Sequence, residues 1–356
     1  MRRETAHKIP HRRRPRNRNR VIPGRERHQG HRRLLPDAVL PAAVRPAIGL
    51  AYLLARAADT IADTRLIGRH QRIIHLRALR AELDAPERGR LEAIVQATRG
   101  VQSLEAERAL LERLPECLEA YRALLADDGR QVRRVLGTII EGMTEDLARF
   151  PGEDEGGLAA LDTRAELDRY TYLVAGCVGE FWTEVHVAHR PRLRHWNLEK
   201  MTALGIRFGK ALQLTNVLRD LPRDLRQGRC YLPRQDLALL GLDPKDLLDP
   251  RVGPALRPLL VDLLNVALDH YEGGWQYTFA IPKRETRMRL ACAWPLLIGL
   301  RTLDLLAQAP NWLDPTVVLK VPRIRVYGMM AQSVATVWST RALARKARQL
   351  RERIRL

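Results

Sequence analysis

The stretch Gly209-Lys-Ala-Leu-Gln-Leu-Thr-Asn-Val-Leu-Arg-Asp-Leu-Pro-Arg-Asp224 decides how this chain is read. At helical spacing Gln213, Asn216 and Asp220 fall on one stripe, and Asp224 extends it by a further turn. Leu, Val and Ala fill most other positions, so a polar stripe is set into a helix that otherwise belongs to a core. Pro222 removes a backbone N–H and is expected to leave Asp224 just beyond a kink. Arg219, Arg223, Arg226 and Arg229 crowd around the two carboxylates.

A second acidic pair lies upstream, in Ala51-Tyr-Leu-Leu-Ala-Arg-Ala-Ala-Asp-Thr-Ile-Ala-Asp63. Asp59 and Asp63 are four residues apart, so a helix sets both on one face, with Tyr52 and Arg56 on the same stripe. Like charges at that spacing repel by about 0.2–0.5 kcal/mol. A single pair of this kind is most often an ordinary solvated face. Two pairs with flanking arginines are what a diphosphate bridged by Mg²⁺ requires. Magnesium takes a few carboxylate oxygens and lets phosphate and water complete its octahedron, while arginine forks bind the remaining phosphate oxygens.

Outward from these stretches the text stays helical. Apolar residues recur at helical spacing through 48–64, 73–83, 108–125, 132–150, 165–189, 198–221, 255–271, 287–306 and 326–351. No Asn-Gly or Asp-Gly separates alternating runs as a hairpin signal would, and no GxGxxG or GxxxxGK[ST] occurs. The fold class is therefore all-α. Of the 356 residues 46% are hydrophobic, which excludes a wholly disordered chain, and only 5% are aromatic. Four scattered cysteines exclude a disulfide scaffold and a zinc ribbon and make a reducing, cytoplasmic setting the default. No uninterrupted apolar run reaches the ~18–20 residues that span a bilayer. The best, residues 291–300, contains Pro295 and reads as buried core, so no transmembrane helix is expected.

The net charge of +20 is unevenly spread. Residues 1–33 hold twelve Arg and one Lys against two Glu, leaving a surplus of +9 for the rest. That basic arm has no aromatic residue for base stacking, which argues against nucleic acid as the partner. Anionic small molecules and an anionic membrane surface fit the charge as well.

The run Gly209-x3-Gln213-x2-Asn216-Val-x-Arg219-Asp220-Leu-x2-Asp224-x4-Arg229-x-Tyr231-x-Pro233 resembles the second signature of the squalene and phytoene synthases. Asp59-Thr-Ile-Ala-Asp63 resembles their first aspartate-rich motif, with Ala62 where an acid is common. Tyr170-Thr-Tyr-Leu-Val-Ala-Gly-Cys-Val-Gly179 is similar to a third family segment, and the resemblance covers residues 40–356. It implies a single-domain isoprenoid synthase fold, residues 39–356, with helices around a central cavity. It also implies head-to-head joining of two prenyl diphosphates through an allylic cation and a cyclopropyl diphosphate. By position, Asp59, Asp63, Asp220 and Asp224 would hold Mg²⁺, or Mn²⁺ in its place. Arg56, Arg219 and Arg229 would bind diphosphate, supported by Gln213 and Asn216. Tyr170 matches a tyrosine that assists proton transfer, and Tyr52 one that lines the diphosphate site. Gly176 and Gly179 read as close-packing positions, and the Glu180/Glu184 pair as structural.

The segment Val318-Leu-Lys-Val-Pro-Arg-Ile-Arg-Val-Tyr-Gly-Met-Met330 resembles the basic stretch that reducing members use near the phosphates of NADPH. Lys320, Arg323 and Arg325 would be its contacts, and a solvated basic loop before a helix is the alternative. The expectation is condensation of two farnesyl diphosphates through presqualene diphosphate, reduced with NADPH to squalene, with peripheral membrane contact for product release. Non-reducing dehydrosqualene or phytoene synthesis stays open. So does a reading of another class: a protein on a degenerate synthase fold that binds nucleic acid or anionic membrane through the basic arm.

Family members carry a Ser-Arg-Ser-Phe-like segment and then Tyr-Leu-Thr-Leu where this chain has Arg32-Arg33-Leu34-Leu35-Pro36-Asp37-Ala38. Codons for Leu34 to Ala38, read one nucleotide later, can spell Phe-Tyr-Leu-Thr-Leu. Residues 1–38 are thus expected to stand outside the folded enzyme, either as a natural disordered basic tail or as the product of an alternative reading frame.

Overall fold

The computed structural model describes residues 40–100, 102, 104–150, 157–314, 316–317 and 319–355. The expectations for residues 1–38 lie outside this set. Among the described residues the chain runs through fourteen α-helices and one two-stranded parallel bridge.

Helix α1 (Arg45–Asp63) starts with Pro46 in its first turn, where the missing N–H is no loss, and buries Leu54, Ala57, Ala58 and Ile61 as one face. Helices α2 (Arg69–Asp84), α3 (Arg90–Thr98), α4 (Glu105–Glu112), α5 (Leu114–Arg122) and α6 (Ala126–Arg149) follow. With α8 they enclose a core that includes Leu76, Leu118, Leu136 and Val185. Strand β1 (Ala159–Ala160) and helix α7 (Arg164–Thr171) lead into a π-turn, Tyr172–Gly176, and then into α8 (Cys177–His189). Helix α9 (Leu198–Arg226) is the central element and packs on α8, α11 and α12. Strand β2 (Arg229–Cys230), α10 (Arg234–Leu239), α11 (Gly253–Ala280), α12 (Thr286–Gln308), α13 (Arg323–Thr336) and α14 (Thr340–Arg353) complete the chain. The larger core joins Leu214, Leu218, Leu221, Leu260, Leu264, Leu297 and Leu300 from α9, α11 and α12.

Three boundaries differ from the periodicity. The run 108–125 is two helices, because Pro115 begins α5 and cannot continue α4. The run 326–351 is broken where the Ser339 hydroxyl accepts from the Ala342 N–H and caps α14. The kink expected at Pro222 does not end α9, which runs through to Arg226 with Asp224 inside it. Proline costs a helix interior about 3 kcal/mol. Burial of Leu218, Leu221 and Leu225 on both sides of it, ~1.5–3 kcal/mol each, offsets that.

Helix α12 contains the 291–300 run and is, by length and composition, long and apolar enough to cross a membrane. Two thirds (67%) of its most apolar window is buried inside the protein, so here it serves as a core helix. Helices α8 and α9 meet backbone to backbone. A Cβ on Gly179 would overlap the Gly205 carbonyl, and one on Gly209 would overlap that of Ala175, so only glycine permits this approach.

Candidate active site

The polar stripe of α9 is laid out as the spacing requires. Asn216 donates to Gln213 (3.3 Å), and Gln213 donates to the Tyr170 hydroxyl (3.3 Å). Arg219 grips Asp220 as a fork, Nε to Oδ1 at 2.9 Å and Nη2 to Oδ2 at 2.5 Å. Asp224 is buried, one turn further on. Beyond the helix end Gly228 adopts a left-handed φ of 76°, which turns the chain back along α9. The β1–β2 bridge fixes this return, with Ala159 N donating to the Gly228 carbonyl (3.1 Å) and Leu161 N to that of Cys230 (3.0 Å).

That return brings Arg229 and Tyr231 onto a residue the motifs do not contain, Asp146 of α6. The Tyr231 hydroxyl donates to Asp146 Oδ1 (2.6 Å), and Arg229 Nη1 lies 3.3 Å from Oδ2. The Tyr170 ring stacks on Tyr231 with centroids 4.5 Å apart. Tyr170 lies in the last turn of α7, just before the π-turn, a local widening of the helix that recurs at functional sites.

From α1, Arg56 pairs with both Asp59 and Glu107 of α4. Asp63 is exposed, yet its charge acts on both Asp146 and Arg229, which joins the α1 pair to the α6–α9 group. Tyr52 projects outward and is half-exposed.

The electrostatics are those of crowded, partly dry carboxylates. Burial pushes the Asp224 carboxyl up to about 6, against relief from Arg223 and Arg229. Burial and the Asp63 charge raise Asp59, with Arg56 opposing them. Asp146 is raised by burial, while Arg229 and the Tyr231 hydroxyl pull it down. Burial works against the Arg229 charge, but Asp146, Tyr231 and Asp63 more than offset it and hold the guanidinium protonated. Burial, then Asp146, raises the Tyr170 phenol, so it keeps its proton. Among the described residues no three acidic, His or Cys side chains converge into a ready-made cation cage. The donor set nevertheless fits Mg²⁺ or Mn²⁺: carboxylate oxygens only, with Asp59 and Asp224 both in a field that a divalent cation would relieve.

One turn from Gln213 and Tyr170 an apolar cavity of about 280 Å³ opens between α8, α9, α11 and α12. Trp182, Phe208, Leu212, Tyr277 and Cys292 line it, together with the glycines of the α8–α9 contact. A larger groove of about 930 Å³ between α2, α6 and α8 mixes Arg80, Arg130 and Arg134 with Asp84, Glu141 and Glu184. It is a solvated charged surface rather than the site.

The structure therefore gathers Asp59, Asp63, Gln213, Asn216, Arg219, Asp220, Asp224, Arg229 and Tyr170 around one region, with Arg56 at its edge. Lys320, Arg323 and Arg325 stand elsewhere, exposed before and within the first turn of α13. Helix α12 gives Ala291, Cys292 and Pro295 to the cavity and Trp294 to α13, whose Ser333 accepts the indole N–H (2.7 Å). Glu180 accepts from the Tyr172 hydroxyl (3.1 Å) and Glu184 pairs with Arg134, both in supporting positions. Motif reading passed over Asp146 and Glu107. The signal for Asp146 is the buried stripe Val132, Val135, Ile139 and Gly142 of α6, which continues onto it at helical spacing.

Comparison with known proteins agrees with this geometry. The squalene synthase of Yarrowia lipolytica is 25% identical over 279 residues, 78% of this chain and 59% of that protein. The phytoene synthase of Thermus thermophilus is 36% identical over 118 residues, 33% of this chain and 38% of that protein. The chain thus spans about three fifths or less of the length of these curated relatives. A solved complex of TcSQS with the ligand E5700 shares the fold with a TM-score of 0.68 at 22% identity, covering 89% of this chain and 84% of that one. A dehydrosqualene synthase in complex with a ligand shares it at 0.57 and 20% identity, covering 84% and 88%. The family profile described as squalene/phytoene synthase matches residues 27–325, and with the two aspartate pairs in place the chain belongs to that family.

Proposed function

We propose that this chain joins two farnesyl diphosphates head to head through presqualene diphosphate and reduces that intermediate with NADPH to squalene. The observation that carries the reading is the meeting of two arginine-flanked aspartate pairs, joined through Asp63, Asp146 and Arg229, beside an apolar cavity. Asp59, Asp63, Asp220 and Asp224 would hold Mg²⁺, which when bound neutralises the diphosphate as it departs. Arg219 and Arg229 would turn the N–H groups left over from their pairs with Asp220 and Asp146 to the diphosphate oxygens, and Arg56 would do so once it exchanges Glu107 for substrate. Asn216 donates to Gln213 and Gln213 to the Tyr170 hydroxyl, which burial keeps protonated in the position from which it would assist proton transfer.

The cavity supplies what an allylic cation requires. Its walls carry no free nucleophile on the acidic side, since burial pushes the Cys292 thiol up to about 12. Trp182, Phe208 and Tyr277 present aromatic faces toward the same space. At about 280 Å³ it stands near the lower end of ligand pockets, ~300–1,000 Å³, and is apolar enough for a prenyl tail. Lys320, Arg323 and Arg325 would take the phosphates of NADPH from the α13 side.

A second reading, a non-reducing dehydrosqualene or phytoene synthase, is favoured by one observation: those three cations lie across α12 from the cavity. One experiment separates the two. The purified chain is given farnesyl diphosphate and Mg²⁺, with and without NADPH, and its hydrocarbons are identified by mass spectrometry. Squalene only with NADPH supports the first reading. One product profile under both conditions moves the reaction to the second, and no consumption of prenyl diphosphate removes both.

A further inference from the structure

The charge surplus of the folded body has a single location. Residues 34–319 carry 38 Lys and Arg against 38 Asp and Glu, whereas residues 320–356 carry ten against the single Glu352. The second part is the end of the chain that forms α13 and α14.

Helix α13 is held by a narrow face. Ser333 is its one fully buried side chain, seated on Trp294. Its other face leaves Ile324 (78% exposed), Tyr327 and Val334 uncovered, with the exposed Ala331 between them, and Trp338 is exposed in the turn two residues past its end. These positions follow helical spacing, so they form one apolar stripe facing outward. Scattered exposed apolar residues need no explanation, but a continuous stripe marks a surface with a partner.

Beside the stripe, α13 and α14 enclose a cleft of about 370 Å³. Arg325, Lys346 and Arg353 line it with Gln332 and Gln349, and no carboxylate does. Lys346 donates to Gln332 Oε1 (2.6 Å) and is partly withdrawn from water, which lowers its pKa. Arg301 also reaches the cleft but is already paired with Asp304 of its own helix. On α14 the outward residues are Arg341, Arg345 and Arg348, while Leu343, Ala347 and Leu350 face the protein.

We propose that α13 and α14 form a docking surface for an anionic lipid bilayer. The α13 stripe lies in the membrane interface, and Lys346, Arg353 and the outward arginines of α14 meet the phosphate head groups. Tyr327 and Trp338 suit that depth, since their rings are half apolar and half polar. A basic helix pair with one apolar face is the pattern of an interfacial element. A second copy of this chain fits less well, because it would set one strongly basic end against another. Nucleic acid would use the arginines and aromatic rings but has no use for exposed Ile324 and Val334. The proposal does not depend on the reaction assigned above.

The test uses the full chain and vesicles of phosphatidylcholine, alone or mixed with phosphatidylglycerol. Because the basic arm at residues 1–33 attracts anionic vesicles by charge alone, the reading is taken at physiological salt and by location. The triple variant Ile324→Ser, Val334→Ser, Trp338→Ser should partition at least ~10-fold more weakly into mixed vesicles, with its helical circular dichroism unchanged. The pair Lys346→Gln, Arg353→Gln should weaken binding less and reduce its salt dependence. Bromine-labelled lipid should quench the tryptophan fluorescence of the wild type more than that of Trp338→Phe. Wild-type partitioning by the triple variant, or equal quenching in Trp338→Phe, overturns the proposal. So does a concentration-dependent dimer that the triple variant abolishes, or preferential binding of RNA in competition with the vesicles.

Discussion

Asp59/Asp63 on α1 and Asp220/Asp224 on α9 share a spacing but not a setting. The α1 pair stands at a rim: Asp63 is exposed, and the Asp59 side chain is 39% exposed and pairs with Arg56. The α9 pair is cut into the central helix, with the side chains of Asp220 and Asp224 only 28% and 13% exposed. Water can relax the first pair, but the second has mainly Arg219, Arg223 and Arg229 to answer it. Spacing aligns carboxylates, and burial decides what they cost. The α9 pair is therefore the more enclosed half of the cluster, and the α1 pair the half open to water.

The largest effects test whether the halves act as one site. Asp220→Asn and Asp59→Asn should each slow prenyl-diphosphate consumption on the order of 10²-fold or more, with circular dichroism unchanged. Near-wild-type turnover in Asp59→Asn would break the comparison, since only the buried pair would then matter. Next, Asp146→Ala leaves Arg229 and the Tyr231 hydroxyl without their acceptor and should lower unfolding stability by about 2–4 kcal/mol. Urea denaturation measures this, and a loss below about 0.5 kcal/mol would show that the two halves are not joined through α6.

A smaller effect separates the pairs by pH. Burial raises the folded-state pKa of Asp224 from 3.8 to about 6, so without a divalent cation the folded chain binds this proton more tightly than the unfolded chain. Stability from this source is fully present below about pH 4 and is lost as pH rises through about 6. Asp224→Asn should thus be more stable than the wild type by about 1–2 kcal/mol near pH 7.5, and not near pH 4. Thermal denaturation at both pH values reads the difference, and equal destabilisation at both contradicts the assigned cause. The smallest effect concerns the cations outside the cluster. Lys320→Ala with Arg323→Ala should raise the KM for NADPH several-fold and leave that for farnesyl diphosphate within about twofold, each lost phosphate contact being worth about 1 kcal/mol. A matching rise in both would place these residues with the diphosphate instead.

Much of this was legible because helical period and motif spacing are local properties. Two carboxylate pairs with arginine neighbours can be read from single helices, and so can the leucine-rich core of α9 and α11. That α9 runs on past Pro222 has a non-local reason: leucines of other helices pack on it on both sides of the proline. Asp146 was passed over because its partners, Arg229 and Tyr231, arrive 83 and 85 residues later through the Gly228 turn. The stripe on α13 was also invisible, since Ile324, Tyr327, Val334 and Trp338 look like core positions until the structure leaves them uncovered.

The backbone contact between α8 and α9 has a consequence for how such a protein can diversify. One wall of the cavity is built from peptide groups at Gly179, Gly205 and Gly209, where any added side chain would force the two helices apart. Mutation cannot resize the chamber at those three glycines. Variation in the shape of the cavity must come from its side chains, Trp182, Phe208 and Leu212 on the same two helices and Tyr277 and Cys292 across from them, which makes these the adjustable gauge and the glycine seam its fixed jaw.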